Sequence, residues 1–284
     1  MIKQAIIPLA GQGTRLLPLT SVFAKELLPI NGKPGVEYII EECIDSGIKE
    51  IIFIISKKKE IIKKYFYNDK FYKKILKKNK DKRISFEYAK IKKYRKMIKF
   101  VYQNKPLGTG DAVLKTKKYI NNNFFLMLLP DDLITKKNCS KDMISIYKKY
   151  KCSVMASMNV KKNNVKRWGI YSKLKNIDRK NFLIKDVVEK PSTKSAPSNS
   201  AVIGRYILSY DIFKKLKKQK KGKGGEIHIT DSIRKLLNDG HKIIGHRFSG
   251  KYLDCGTMNG YIKSSMEISK LWNCVWLVLA MLGL

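Results

Sequence analysis

Two glycines and two cations stand close together near the start of the chain: Gly11, Gly13, Arg15 and, ten residues on, Lys25. They follow the apolar run of "IIPLAGQGTRLLPLT", residues 6–20. A glycine-rich turn after such a run offers backbone N–H groups to phosphate oxygens. The dinucleotide fingerprint G-x-G-x-x-G does not fit here. Leu16 takes the third position, where glycine would permit close helix–sheet contact. Arg15 brings a fork of charge that a dinucleotide site does not require, and Pro18 interrupts the helix that should follow. Two cations beside a backbone cradle suit a triphosphate and the pyrophosphate that leaves it. The plainer alternative is a surface ion pair on an ordinary loop.

A second candidate lies at "FFLMLLPDD", residues 124–132, which reads as an apolar strand ending in Asp131 and Asp132. Ligands of open α/β sheets sit at such carboxyl ends. A hard carboxylate there suits Mg²⁺ bridging phosphates, and on a strand the two acids would point to opposite sides. The alternative is a pair of acids that merely opens a turn. No nucleophile is conspicuous: His228, His241 and His246 form no triad with a serine.

Positioning these groups requires a scaffold. "IKQAIIPL" (2–9) reads as a buried first strand. Val36, Ile39, Ile40, Cys43 and Ile44 recur at helical spacing, with Gly47 as a C-terminal cap, and "IIFIIS" (51–56) is a second strand. That rhythm predicts a parallel α/β sheet. Residues 57–99 predict one or two amphipathic helices around "YNDK", followed by the strand "KFVYQ" and the helix "GDAVLKTKKYI". Farther on, strands are expected at "CSVMASMNV", as a pair around "WGIYSKL", and at "IKDVVEKP" and "SAVIGRYILS", then a helix at "HITDSIRKLLNDG". With no long linker and no repeat, residues 1–270 read as one domain. Its lobes span about 1–135 and about 136–270, with a cleft at the carboxyl ends of the strands.

Composition bounds the rest. The chain has 284 residues, 44% of them hydrophobic, enough for a sizeable core. A formal charge of +37 invites a nucleic-acid reading, but only eight of the 60 basic residues are arginine, the side chain favoured for forked contacts. The lysines are spread in short runs, as solvated faces are, so polyanion binding should be nonspecific and abolished by salt. Five scattered cysteines without a CxxC pair suit reduced thiols in a cytosolic protein. The strand-like start leaves no secretory signal.

At this point "PLAGQGTRLLPLTSVFAKELLPINGKP" closely resembles the signature of the sugar-1-phosphate nucleotidyltransferases. "AG" before "QGTR", and "AKELLP", are similar to the branch that uses UTP and glucose 1-phosphate; thymidylyltransferase relatives more often carry "GG" and "KQLLP". The resemblance recurs in order over roughly residues 1–270, at "LGTGDAV", "LLPDD", "WGI", "VVEKP", "APSNSAVIGRYIL", "GEIHITD" and "LDCGTMNGY". It implies a Rossmann-like three-layer α/β/α fold with a mixed, mostly parallel sheet. It also implies a Mg²⁺-dependent cytoplasmic enzyme, expected as a homo-oligomer, that acts on small molecules without a specific nucleic acid or membrane. The reaction is attack of glucose 1-phosphate on the α-phosphate of UTP, giving UDP-glucose and pyrophosphate. Another nucleotide or sugar phosphate on the same fold is the alternative, and a lysine-rich nucleic-acid-binding protein is the remote one.

By the same resemblance Leu9, Ala10, Gly11, Gly13, Thr14, Arg15, Glu26, Gln103 and Gly108 hold the nucleotide. Gln103 would read uracil through an amide that both donates and accepts, and Gly108 would let backbone approach the base. Gly169, Glu189 and Lys190 hold the sugar phosphate, Asp131 and Asp254 the metal, with support of the site or the structure as the alternative for Asp254, and Arg15, Lys25, Asp131 and Lys190 carry the catalytic charge. Neighbouring strand side chains diverge, so using both Glu189 and Lys190 requires a bend, which Pro191 favours. Arg205 reads as structural. The sequence departs from the family after "MEISK": residues 271–284 are an atypical apolar tail. Val275 to Leu284 are too few to cross a bilayer as a helix. A buried or dimer-covering helix and a weak membrane-surface anchor are open readings; the abrupt change of composition favours an end altered by truncation or a shifted reading frame.

Overall fold

The structure, a computed structural model, describes residues 1–79 and 81–281. Strand β1 (Gln4–Pro8) is buried on both faces and central, as its unbroken apolar run requires. A short hairpin of β2 (Pro29–Ile30) and β3 (Lys33–Pro34) leads into α1 (Gly35–Asp45), which ends where Gly47 takes a left-handed φ of 84°. After β4 (Glu50–Ile55), the lysine-rich segment forms α2 (Glu60–Tyr67), α3 (Asp69–Lys78) and α4 (Lys82–Met97). That is one helix more than expected. The chain breaks at "YNDK", and breaks again before Asp81, whose side chain caps the next helix by accepting from the Arg83 amide.

Next come β5 (Ile98–Tyr102), α5 (Thr109–Lys115), β6 (Phe124–Leu128), β7 (Asp132–Thr135), α6 (Cys139–Tyr150) and β8 (Ser153–Asn159). The chain continues through β9 (Gly169–Asn176), β10 (Asn181–Glu189), β11 (Ser200–Ser209), α7 (Ile212–Lys217) and α8 (Ile229–Asn238). It closes with β12 (Ile243–Arg247), β13 (Lys251–Asp254) and α9 (Met258–Met281). The expected apolar tail thus begins inside α9; its side chains, and residues 282–284 altogether, lie outside the described residues. Among the described residues no helix is long and apolar enough to cross a membrane.

One mixed sheet runs β5-β4-β1-β6-β11-β8-β12-β10-β9. Pairing is parallel from β5 to β6 and between β8 and β12, and antiparallel elsewhere. The expectation of a mostly parallel sheet therefore holds for the first half alone. β9 and β10 are joined by the four residues 177–180, which allow a hairpin but no crossover. Alternation along β1 sets the three layers. Ala5 and Ile7 face a core shared with α1, α2, α4 and α6, while Ile6 faces one shared with α5, α7 and α8.

Two buried ion pairs stand directly behind the carboxyl ends of these strands. Arg205 of β11, wholly buried, forks onto Glu42 of α1 at 2.9 and 2.7 Å and also donates to the carbonyls of Gly204 and Leu129. Its structural reading is thereby given a partner and a purpose: it ties the loop after β6 to the core. A Cβ on Gly204 would meet Leu129 at 2.5 Å and Asp132 at 2.6 Å, so no side chain fits where β11 passes that loop. The second pair joins Lys59 to Glu26 at 2.8 and 2.7 Å, and the same ammonium donates to the Leu9 carbonyl at 2.8 Å.

Removing one partner of either pair strands a charge in the interior, at a cost of about 3–5 kcal/mol. Arg205→Met and Glu26→Gln should each lower the urea midpoint accordingly. Lys214→Ala, which cuts the exposed pair with Asp211, should leave it nearly unchanged. Equal midpoints for all three variants would refute the brace.

Candidate active site

A cleft of about 1200 Å³ opens at the carboxyl ends of β5, β1 and β6. Ala10, Gly11, Gly13, Thr14, Arg15, Lys25, Gln103, Gly108, Asp131, Gly169, Glu189, Lys190 and Asp254 all line it. Two expected residues do not. Leu9 is wholly buried, and Glu26 is only 3% exposed and spent on Lys59. Their place is behind the glycine turn: Glu26 holds Lys59, and Lys59 holds the Leu9 carbonyl from which the turn springs. The motif alone could not separate a residue that touches ligand from one that supports its neighbour.

Beside the glycine turn, Asp131 sits in the turn between β6 and β7, three residues past the strand on which it was expected. Lys25 Nζ lies 2.8 Å and Arg15 Nη2 3.6 Å from its Oδ2. Burial by itself raises the Asp131 carboxyl; Lys25 and then Arg15 outweigh it and hold the group below its ordinary value. Burial likewise works against a charged Lys25, but Asp131 and Glu26 keep it above its usual value and protonated.

Asp132 points away from this cluster. Its carboxylate accepts from the Gly204 amide at 2.9 Å and from the Tyr252 hydroxyl at 2.6 Å. Burial first, and the Asp131 charge second, push it up to about 6. Neighbouring acids thus separate into one facing cations, held below its ordinary value, and one bonded to β11 and β13, raised to about 6.

Asp254 ends β13, directly opposite Asp132 in the β7–β13 ladder, while the Cys255 amide donates to the Asp131 carbonyl at 2.7 Å. Asp132 and Asp254, 122 positions apart in sequence, are brought together in this way. Asp254 accepts from Arg167 at 2.7 Å, from the Gly256 amide at 2.9 Å and from Thr257 at 3.3 Å. Asp131 and Asp254 are hard oxygen donors of the kind Mg²⁺ prefers. Among the described residues no group of three His, Cys, Asp or Glu could hold a metal. Both aspartates line the cleft, and two carboxylates would leave most of a cation's coordination sphere to other oxygen ligands, a donor set that Mg²⁺ accepts.

Gln103 follows β5, buried, with its amide nitrogen donating to the Gly108 carbonyl at 3.0 Å and to Asp111 at 2.7 Å. The donor is spoken for, so the amide has only its carbonyl to offer a ligand; the expectation that it would also donate is corrected. Gly108 has φ 92°, and a Cβ there would strike the Ile227 carbonyl at 2.8 Å. Glycine is demanded by the segment 226–227 packed against this loop, where Gly110 donates to the Ile227 carbonyl and Ile227 to that of Leu107.

The opposite end carries Glu189 and Lys190. Lys190 has φ 44°, a left-handed conformation rare for a side chain of this kind. This is the required bend: it brings two consecutive side chains to one cleft and is pinned by the Lys190 amide donating to the Trp168 carbonyl at 3.1 Å. Glu189 pairs with Gly169 across the β9–β10 hairpin and accepts from Thr230 at 3.0 Å. Arg167, Thr230, Glu226 and Tyr252 also line the cleft without having been singled out. Thr230 and Glu226 lie within "GEIHITD", and Tyr252 and Arg167 adjoin "LDCG" and "WGI". The motifs marked the segments, but only the fold shows which of their side chains turn inward.

The nucleotidyl transferase family profile matches residues 4–270. A UTP–glucose-1-phosphate uridylyltransferase of Mycoplasma pneumoniae is 38% identical over 270 residues, covering 93% of this chain and 91% of the relative. A crystal structure of UDP-glucose pyrophosphorylase complexed with UDP-glucose superposes with a TM-score of 0.83 at 37% identity, over 95% of this chain and 99% of that one. The UTP-bound enzyme of Acinetobacter baumannii does so with a TM-score of 0.81 at 29% identity, over 94% and 93%. With the glycine turn, the buried acids and the Glu–Lys bend gathered in one cleft, the chain belongs to the nucleotidyl transferase family, in its UTP–glucose-1-phosphate uridylyltransferase branch.

Proposed function

We propose that this chain transfers UMP from UTP to glucose 1-phosphate, releasing pyrophosphate and forming UDP-glucose. The observation that carries the proposal is the gathering in one cleft of a cation-bearing glycine turn, an ionised aspartate and the Glu189–Lys190 bend. A phosphate oxygen of the sugar attacks the α-phosphorus in line, and the bond to the β,γ-pyrophosphate breaks. Such a reaction needs positioning and charge stabilisation rather than a protein nucleophile.

Backbone N–H groups of residues 10–14 and the Arg15 guanidinium suit the departing pyrophosphate. Lys25, kept protonated and fixed by Asp131, places a second charge where negative charge develops. Lys190 pairs with the attacking phosphate and Glu189 accepts from the sugar hydroxyls. Asp131 and Asp254 would hold Mg²⁺, which supplies Lewis-acid charge on the phosphates when bound. The free carbonyl of Gln103 accepts from the imide N–H of uracil, a proton that the cytosine ring lacks. Both substrates are phosphorylated anions that do not cross membranes unaided, which supports a cytoplasmic reaction.

Pyrophosphate release from UTP should require glucose 1-phosphate and a divalent cation. Asp131→Asn should lower kcat at least about a hundredfold, the scale of losing one electrostatic contact to the transition state. Turnover equal to that of the parent chain would refute the metal assignment. Gln103→Ala should raise the UTP KM and narrow the preference for UTP over CTP by about tenfold, the value of one hydrogen bond to the base. An unchanged UTP/CTP ratio of kcat/KM would remove Gln103 from base reading.

A further inference from the structure

Arg167 ends the short turn over residues 162–167, just before β9, yet its guanidinium reaches strand β13. Nη2 donates to Oδ2 of Asp254 at 2.7 Å, and the same guanidinium lies 4.7 Å from the centre of the Trp168 ring. The other Asp254 oxygen accepts from the Gly256 amide, and Thr257 shares Oδ2. Much of the charge of Asp254 is therefore already answered, and a divalent cation approaching Oδ2 competes with the arginine for it.

Displacement is easy here. The Arg167 side chain is 45% exposed and Asp254 20%, so water screens the pair and takes up the freed guanidinium. A triphosphate presents several forked anionic oxygens, a better match for guanidinium than one partly wetted carboxylate. Arg167 is also adjacent to the residue that shapes the sugar pocket, since Trp168 accepts from the Lys190 amide and Gly169 pairs with Glu189.

We propose that Arg167 is a positioning residue that orders metal loading. In the empty cleft it holds Asp254; when a nucleoside triphosphate enters, the guanidinium passes to phosphate oxygens and releases Asp254 to the divalent cation. The proposal rests on the reading of Asp254 as a metal-facing carboxylate.

Calorimetric titration of the full chain with Mn²⁺ tests it without turnover. In the absence of nucleotide, Arg167→Gln should bind Mn²⁺ about two- to fivefold more tightly than the parent chain, a range set by the strength of a partly exposed pair. The gain should vanish in the Asp254→Asn background, and also when a non-hydrolysable UTP analogue is present. A gain that persists in the Asp254→Asn background is a general effect of removing charge and overturns the proposal. Equal affinities of parent and Arg167→Gln, with Asp254→Asn weakening Mn²⁺ binding in the presence of the analogue, overturn the role of Arg167 and leave Asp254 in place. If Asp254→Asn alters Mn²⁺ affinity neither with nor without the analogue, the metal-facing reading itself fails.

Discussion

A carboxylate withdrawn from water must be answered by positive charge, and the placement of Asp131 follows from that requirement. Its Oδ2 is met by Lys25 at 2.8 Å and approached by Arg15 at 3.6 Å. Because the two cations belong to the segment after β1 and the acid to the turn after β6, the interaction clamps two neighbouring strand ends to each other. The clamp also prepares the chemistry. Charges already fixed in a partly dry cleft need little reorganisation when a polyphosphate arrives.

Behind that cluster lies a second tier of buried charge. Lys59 and Glu26 support the backbone of the glycine turn; Arg205 and Glu42 support the loop that carries Asp131. Such pairs are poor investments for stability alone, since desolvation offsets much of their attraction. Their geometry shows what is gained instead: each ends on a backbone carbonyl, at Leu9 or Leu129, adjoining a loop that lines the cleft. Asp132 serves the same end, joining β11 to β13 while its neighbour Asp131 faces the cations.

The Glu189–Lys190 end of the cleft is built by a different device. Instead of paired charges, a left-handed Lys190 breaks the alternation of β10, so that Glu189 and Lys190 face one cavity. Backbone strain of this kind persists only where surrounding contacts hold it, here the Trp168 carbonyl and the β9 strand that pairs with β10. Arg167 lies where this wall meets β13, beside Trp168 and bonded to Asp254.

Much of this was legible without coordinates. Apolar runs ending in glycine or aspartate mark strands whose carboxyl ends bear function, and Leu16, Arg15 and Pro18 by their identities rule out a dinucleotide turn. Local patterns of that kind are set by near neighbours in the chain, so a single sequence displays them. Three matters were decided by the tertiary structure. Glu26 turned inward to Lys59, thirty-three residues away; Gln103 lost its donor to Asp111; and Asp254 came to stand opposite Asp132 through the β7–β13 ladder. Each depends on which distant group occupies the space beside a side chain, and sequence spacing carries no record of that distance.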